Sequence, residues 1–95
     1  MNREQLEKKI KEIKPILKEK YKVKKIGIFG SYISGKATEQ SDVDILVEFY
    51  ENIGWDFIDL KDFLEEVLGK KVDLVTNNAL KPQLKKTILG EVVFQ

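Results

Sequence analysis

Histidine and cysteine are both absent from this 95-residue chain. Without Cys there is no disulfide, no thiolate metal site and no Cys nucleophile. Without His, the commonest general base and zinc ligand is missing. Long apolar runs are missing too: nothing approaches the roughly 20 consecutive apolar residues that span a bilayer. The opening "MNREQLEKKIKEIK" is charged where a signal peptide carries its apolar core, so the expected location is cytoplasmic, with no membrane partner. An excess of one charge is also lacking: 17 basic against 16 acidic residues leave a net charge of +1. That balance has none of the electrostatic footprint of a nucleic-acid binder, and nothing in it supports nucleic acid as a partner. The length allows one small domain, residues 1–95, with one modest core. Any chemistry must therefore rest on carboxylates, Ser, Tyr and Lys.

What is present is clear periodicity. Leu6, Ile10, Ile13 and Leu17 recur every three or four residues, the apolar stripe of an amphipathic helix, and Asn2 with Gln5 resembles a capping box at its start. Pro15 removes a hydrogen bond from a helix interior, so two short helical pieces are expected, ending near Tyr21. "VKKIGIFG" predicts a buried strand from Val23 to Phe29, closed by Gly30. A short helical turn and loop follow from Ser31 to Ser41, then a second strand from about Asp42 to Phe49. Phe57, Leu60, Phe63, Leu64, Val67 and Leu68 mark a helix from Asp56, stopped by Gly69. "KKVDLVT" predicts a third strand; a last helix opens around Pro82 and runs with Leu84 and Ile88 toward Gly90, and "EVVF" suits a short closing strand. Tyr50, Trp55 and Phe57 lie beside the third helix. Such aromatics more often belong to a core, the other use being as an anchor for a partner.

Within the second strand, "SDVDILV" puts Asp42 and Asp44 on one face and Val43, Ile45 and Val47 on the other, toward the core. Two adjacent carboxylates repel unless something positive lies between them, and a hard cation such as Mg²⁺ is the usual neutraliser for oxygen ligands. A solvated pair at the start of a strand would have the same spelling. "FGS" places Gly30 and Ser31 directly after a strand, where backbone N–H groups and a small hydroxyl can hold a phosphate, although ordinary turn chemistry reads the same way. A third acid, Asp73 in "KVDLV", is flanked by apolar residues, an expensive place for a lone charge. It wants either a shared metal or a salt bridge to Lys70 or Lys71. The set of three carboxylates, rather than any one, favours the metal.

Taken together, "GSYISGKATEQSDVDILVEF" and the later "GKKVDLVT" resemble the signature of the minimal nucleotidyltransferase domain of the DNA polymerase beta superfamily. The likeness runs from "VKKIGIFGS" to "ILGEVVF". It implies an α+β, nucleotidyltransferase-like fold with a short mixed β-sheet and helices packed on one side. It further implies a two-metal site for nucleotidyl transfer, with two Mg²⁺ ions and ATP as substrate. Gly30 and Ser31 would lie at the triphosphate; Asp42 and Asp44 would bridge the ions; Asp73 would ligate the catalytic ion and serve as general base. Many members carry an Arg shortly before the second Gly of the G-S turn, where this chain has Ser34. Lys36, next in line, reads as a solvated surface residue. Because 95 residues leave no room for the acceptor-binding lobe of larger members, either the pocket is shallow or a partner completes it. The resemblance supplies one: a HEPN-domain ribonuclease toxin whose Tyr receives AMP, this chain being the antitoxin. The alternative is an antitoxin that silences the HEPN protein by complex formation alone.

Overall fold

The first helix, α1, runs unbroken from Arg3 to Tyr21 in the structure, a computed structural model that describes Met1–Gln95. The capping box forms as expected: Gln5 N–H donates to Asn2 Oδ1 at 2.8 Å, and Asn2 N–H donates to Gln5 Oε1 at 3.0 Å. The expected break at Pro15 does not occur. Proline deprives the Lys11 carbonyl of its donor, but both residues are exposed, so water can take the donor's place and the helix continues. Leu6, Ile10, Ile13, Leu17 and Tyr21 form its buried stripe. At its end the Tyr21 ring stacks on Phe63 at 5.3 Å between centroids.

Strand β1 (Val23–Phe29) leads into a four-residue helix α2 (Ser31–Ser34), strand β2 (Val43–Phe49), helix α3 (Asp56–Leu68), strand β3 (Val72–Thr76), helix α4 (Pro82–Glu91) and strand β4 (Val93–Phe94). Gly69 caps α3 in the left-handed conformation, as its position predicts. Gly90 does not stop α4, which continues through it to Glu91. No helix is long and apolar enough to cross a membrane.

The strands form one mixed sheet in the order β3-β2-β1-β4, with β2 and β3 parallel and the other neighbours antiparallel. Parallel pairing requires a crossover, and α3 supplies it. Alternation along the strands then sorts the side chains. Ile26 and Ile28 of β1, Val43, Ile45 and Val47 of β2, and Val72 and Leu74 of β3 join α1 and α3 in one core of 17 buried residues. The opposite face carries a smaller cluster, Phe29 and Leu46 under Ile88 of α4. Asp44 shares that second face, two residues before Leu46.

Candidate active site

Because β1 is antiparallel to β2, and β3 is parallel to β2, the end of β1 lies at the same edge of the sheet as the beginnings of β2 and β3. The register makes this explicit: Phe29 pairs with Asp44, and Asp44 with Asp73. Residues paired across neighbouring strands project from the same face. Asp44 and Asp73 are therefore side by side, close enough for a proton on one carboxyl to be shared with the other.

The loop before β2 is closed on itself. Thr38 N–H donates to Ser41 Oγ at 2.8 Å, and Ser41 N–H returns to the Thr38 carbonyl at 3.1 Å. Lys70 Nζ also reaches the Glu39 carbonyl from the turn before β3. Asp42 projects into solvent just after this closed loop and one residue ahead of the strand, which begins at Val43 rather than at Asp42. Val43 N–H donates to the Lys71 carbonyl at 2.9 Å, holding the starts of β2 and β3 in step.

On the other side lies the turn from β1 into α2. Gly30 has φ 74° and ψ −144°, a conformation that L side chains rarely adopt, and a Cβ there would lie 2.0 Å from Asp44 Oδ2. Only glycine lets this backbone approach the carboxylate. The Gly30 carbonyl accepts from both Ile33 and Ser34 N–H at 3.0 Å, starting α2, of which Ser31 is the first residue. All five residues singled out in the sequence, Gly30, Ser31, Asp42, Asp44 and Asp73, thus lie at one end of the sheet.

The electrostatics follow from this crowding. Partial burial pushes the Asp44 carboxyl up from its ordinary 3.8 to about 6, reinforced by the charges of Asp73 and Asp42, the sharing of its proton with Asp73, and the charge of Glu91. Asp73 itself is exposed between buried Val72 and Leu74, so the apolar neighbours in its sequence do not desolvate it. On this edge strand its side chain points out of the layer that buries theirs. Lys70 and Lys71 make no ion pair with it; the ion pair of the structure is Arg3–Glu7, on α1.

The acidic side chains do not form a finished cage, since no three of them are placed to hold an ion unaided. Their chemistry still suits a hard divalent cation, and Mg²⁺ characteristically takes one or two carboxylates together with substrate phosphates. Glu91 was not foreseen from the sequence. It stands 61 residues beyond Gly30, yet accepts that residue's N–H at 3.2 Å. No local pattern signals such a contact, which exists only because α4 ends beside the turn. Of the aromatics, Phe57 packs partly into the core, whereas Tyr50 and Trp55 are 56% and 85% exposed. Core burial, the commoner fate of such residues, therefore applies only to Phe57. Lys36 is exposed, as expected.

A family model described as a nucleotidyltransferase domain matches residues 10–94. The chain belongs to this family. It is a nucleotidyltransferase. The chain is 47% identical over 92 residues to the protein adenylyltransferase MntA of Thermococcus cleftensis, covering 96% of this chain and 93% of that one. It is 52% identical over 87 residues to MJ0128 of Methanocaldococcus jannaschii, a protein named as a candidate protein adenylyltransferase, with 90% and 89% covered. Among solved structures, one described as a candidate minimal nucleotidyltransferase superposes with a TM-score of 0.84 at 34% identity, covering 98% of this chain and 95% of that one. A complex of a tri-AMPylated Shewanella oneidensis HEPN toxin with an MNT antitoxin shares the fold at a TM-score of 0.69 and 22% identity, with 97% and 70% covered.

Proposed function

We propose that this nucleotidyltransferase moves AMP from ATP to a hydroxyl of a partner protein, the acceptor being a Tyr of a HEPN ribonuclease toxin, and that it thereby acts as the antitoxin. The observation that carries the reading is the pairing of Asp44 with Asp73 beside the Gly30 turn. It sets two carboxylates against a backbone that only glycine can bring so near. The names of relatives at 47% and 52% identity support protein adenylyl transfer as the reaction.

In this reading Gly30 and Ser31 hold the triphosphate. Asp42, Asp44 and Asp73, together with the triphosphate oxygens, would hold two Mg²⁺ ions, which would supply charge neutralisation and polarisation of the reacting oxygens. Asp73, exposed at the sheet edge, accepts the proton of the incoming hydroxyl. That oxygen forms a bond to the α-phosphorus, the bond from the α-phosphorus to the bridging oxygen breaks, and pyrophosphate leaves. Asp44, with its carboxyl at about 6, is mostly ionised at neutral pH and available as a ligand.

A second reading, neutralisation of the toxin by complex formation alone, is favoured by one feature: Trp55, 85% exposed, has the character of an interface anchor. Intact mass of a HEPN-domain partner after incubation with this chain and Mg²⁺-ATP separates the two. Added AMP that disappears with Asp44→Ala and with Asp73→Asn supports transfer. A tight complex of unchanged mass, formed equally by those variants, overturns it in favour of binding alone.

A further inference from the structure

Glu91 is the one charged side chain that reaches the site from the far end of the chain, and the proposed reaction gives it no task. Its backbone is held on both sides. Val92 N–H closes α4 on the Ile88 carbonyl at 2.8 Å, and Gln95 N–H donates to the Ile26 carbonyl at 2.9 Å, with Val93 of β4 paired to Ile28 of β1. The carboxylate is therefore presented from a fixed point.

What it meets is the centre of the β1–α2 turn. The Gly30 carbonyl already takes two N–H groups of α2, and its own N–H donates to Glu91 Oε1 at 3.2 Å. With φ at 74° and no side chain, Gly30 has no side-chain contact to keep it in this conformation, and Glu91 adds a hold on its N–H to the two on its carbonyl. A carboxylate so close to a polyanion site is electrostatically unfavourable for the nucleotide. Its presence makes sense as an acceptor that holds the turn.

We propose that Glu91 is a positioning residue for nucleotide binding: by accepting the Gly30 N–H it ties the turn that receives the phosphates to the junction of α4 and β4. The inference rests on the reading of Gly30 and Ser31 as the triphosphate turn. It assigns the role to the acceptor oxygen and not to the charge, so Gln serves where Ala does not.

The test uses the whole chain. In nucleotide-free, metal-free protein, amide exchange at Gly30 measured by NMR rises about threefold to tenfold in Glu91→Ala, the weight of one hydrogen bond, and returns close to the original rate in Glu91→Gln. Affinity for Mg²⁺-AMP-PNP, measured by calorimetry, falls by a similar factor in Glu91→Ala and recovers, or exceeds the original, in Glu91→Gln. Unchanged Gly30 exchange in Glu91→Ala overturns the inference, as does unchanged affinity despite faster exchange. Equal loss in Glu91→Gln and Glu91→Ala also overturns it, pointing to the charge. If the unaltered protein binds no nucleotide, the nucleotide reading of the turn fails and the positioning role falls with it, even where the exchange pattern shows that the tether itself exists.

Discussion

Replacing Asp44 by Asn should stabilise the metal-free protein at neutral pH while removing a carboxylate that the proposed reaction uses. The folded state raises the Asp44 carboxyl from 3.8 to about 6. One unit is worth about 1.4 kcal/mol, so a rise of about two units corresponds to a ceiling of about 3 kcal/mol. Asp44 is only half-buried and water screens part of its interaction with Asp73, Asp42 and Glu91, which brings the expected penalty to about 1 kcal/mol. The sign follows from proton binding. Between about pH 4 and 6 the folded chain holds the Asp44 proton more tightly than the unfolded chain, so this contribution is fully favourable below 3.8 and is lost as the pH rises through 6. Asn does not titrate and escapes the loss. In buffer with a chelator at pH 7.5, Asp44→Asn should therefore melt about 4–8 °C above the unaltered protein, the gap closing near pH 4. Thermal melts followed by circular dichroism across pH 4–8 measure this directly. Adding Mg²⁺ should raise the melting temperature of the unaltered protein and leave Asp44→Asn nearly still. A variant less stable at pH 7.5, or a gap that does not change with pH, would refute the claim that burial, reinforced by the neighbouring carboxylates, makes the charged Asp44 costly to the fold.

Gly30→Ala should destabilise by about 1–3 kcal/mol in urea unfolding, from backbone strain alone, and should abolish nucleotide binding, because its Cβ would lie 2.0 Å from Asp44 Oδ2; near-native binding would contradict the close approach. Tyr32 is 4% exposed and its hydroxyl has no hydrogen-bond partner. Tyr32→Phe is therefore expected to be neutral or stabilising by up to about 1 kcal/mol in the same assay, and a clear loss of stability would reveal a partner for that hydroxyl. Trp55→Ala should leave the isolated chain within about 0.5 kcal/mol of its original stability, since the ring is 85% exposed. The same substitution should weaken the complex with a HEPN partner at least tenfold by calorimetry, and unchanged affinity would remove Trp55 from the interface.

Much of the architecture was legible from spacing. The stripe Leu6–Ile10–Ile13–Leu17, the strand Val23–Phe29 and the helix from Asp56 to Leu68 all lie where periodicity put them, because each buries one face and the pattern of burial is written in the order of residues. Pro15 misled, since the effect of a proline depends on whether the freed carbonyl faces water, and that depends on which side of α1 the core occupies. Trp55 and Tyr50 misled for the same kind of reason: aromatic character reports a tendency to be buried, whereas exposure is decided by what packs above the loop.

For the site, the sequence by itself determined the chemistry available: three aspartates, a Gly-Ser turn, and neither His nor Cys to compete with them. It also determined that Asp44 projects away from the core, through strand alternation with Val43 and Ile45. What only the tertiary structure decided is who meets whom. The register that sets Asp44 against Asp73 comes from a parallel crossover through α3. The approach of Gly30 to Asp44 comes from the antiparallel pairing of β1 with β2. The arrival of Glu91 at the Gly30 N–H comes from the end of α4. Each is a contact between segments far apart in the chain, and local pattern carries no information about such distances; packing of the sheet and its helices does.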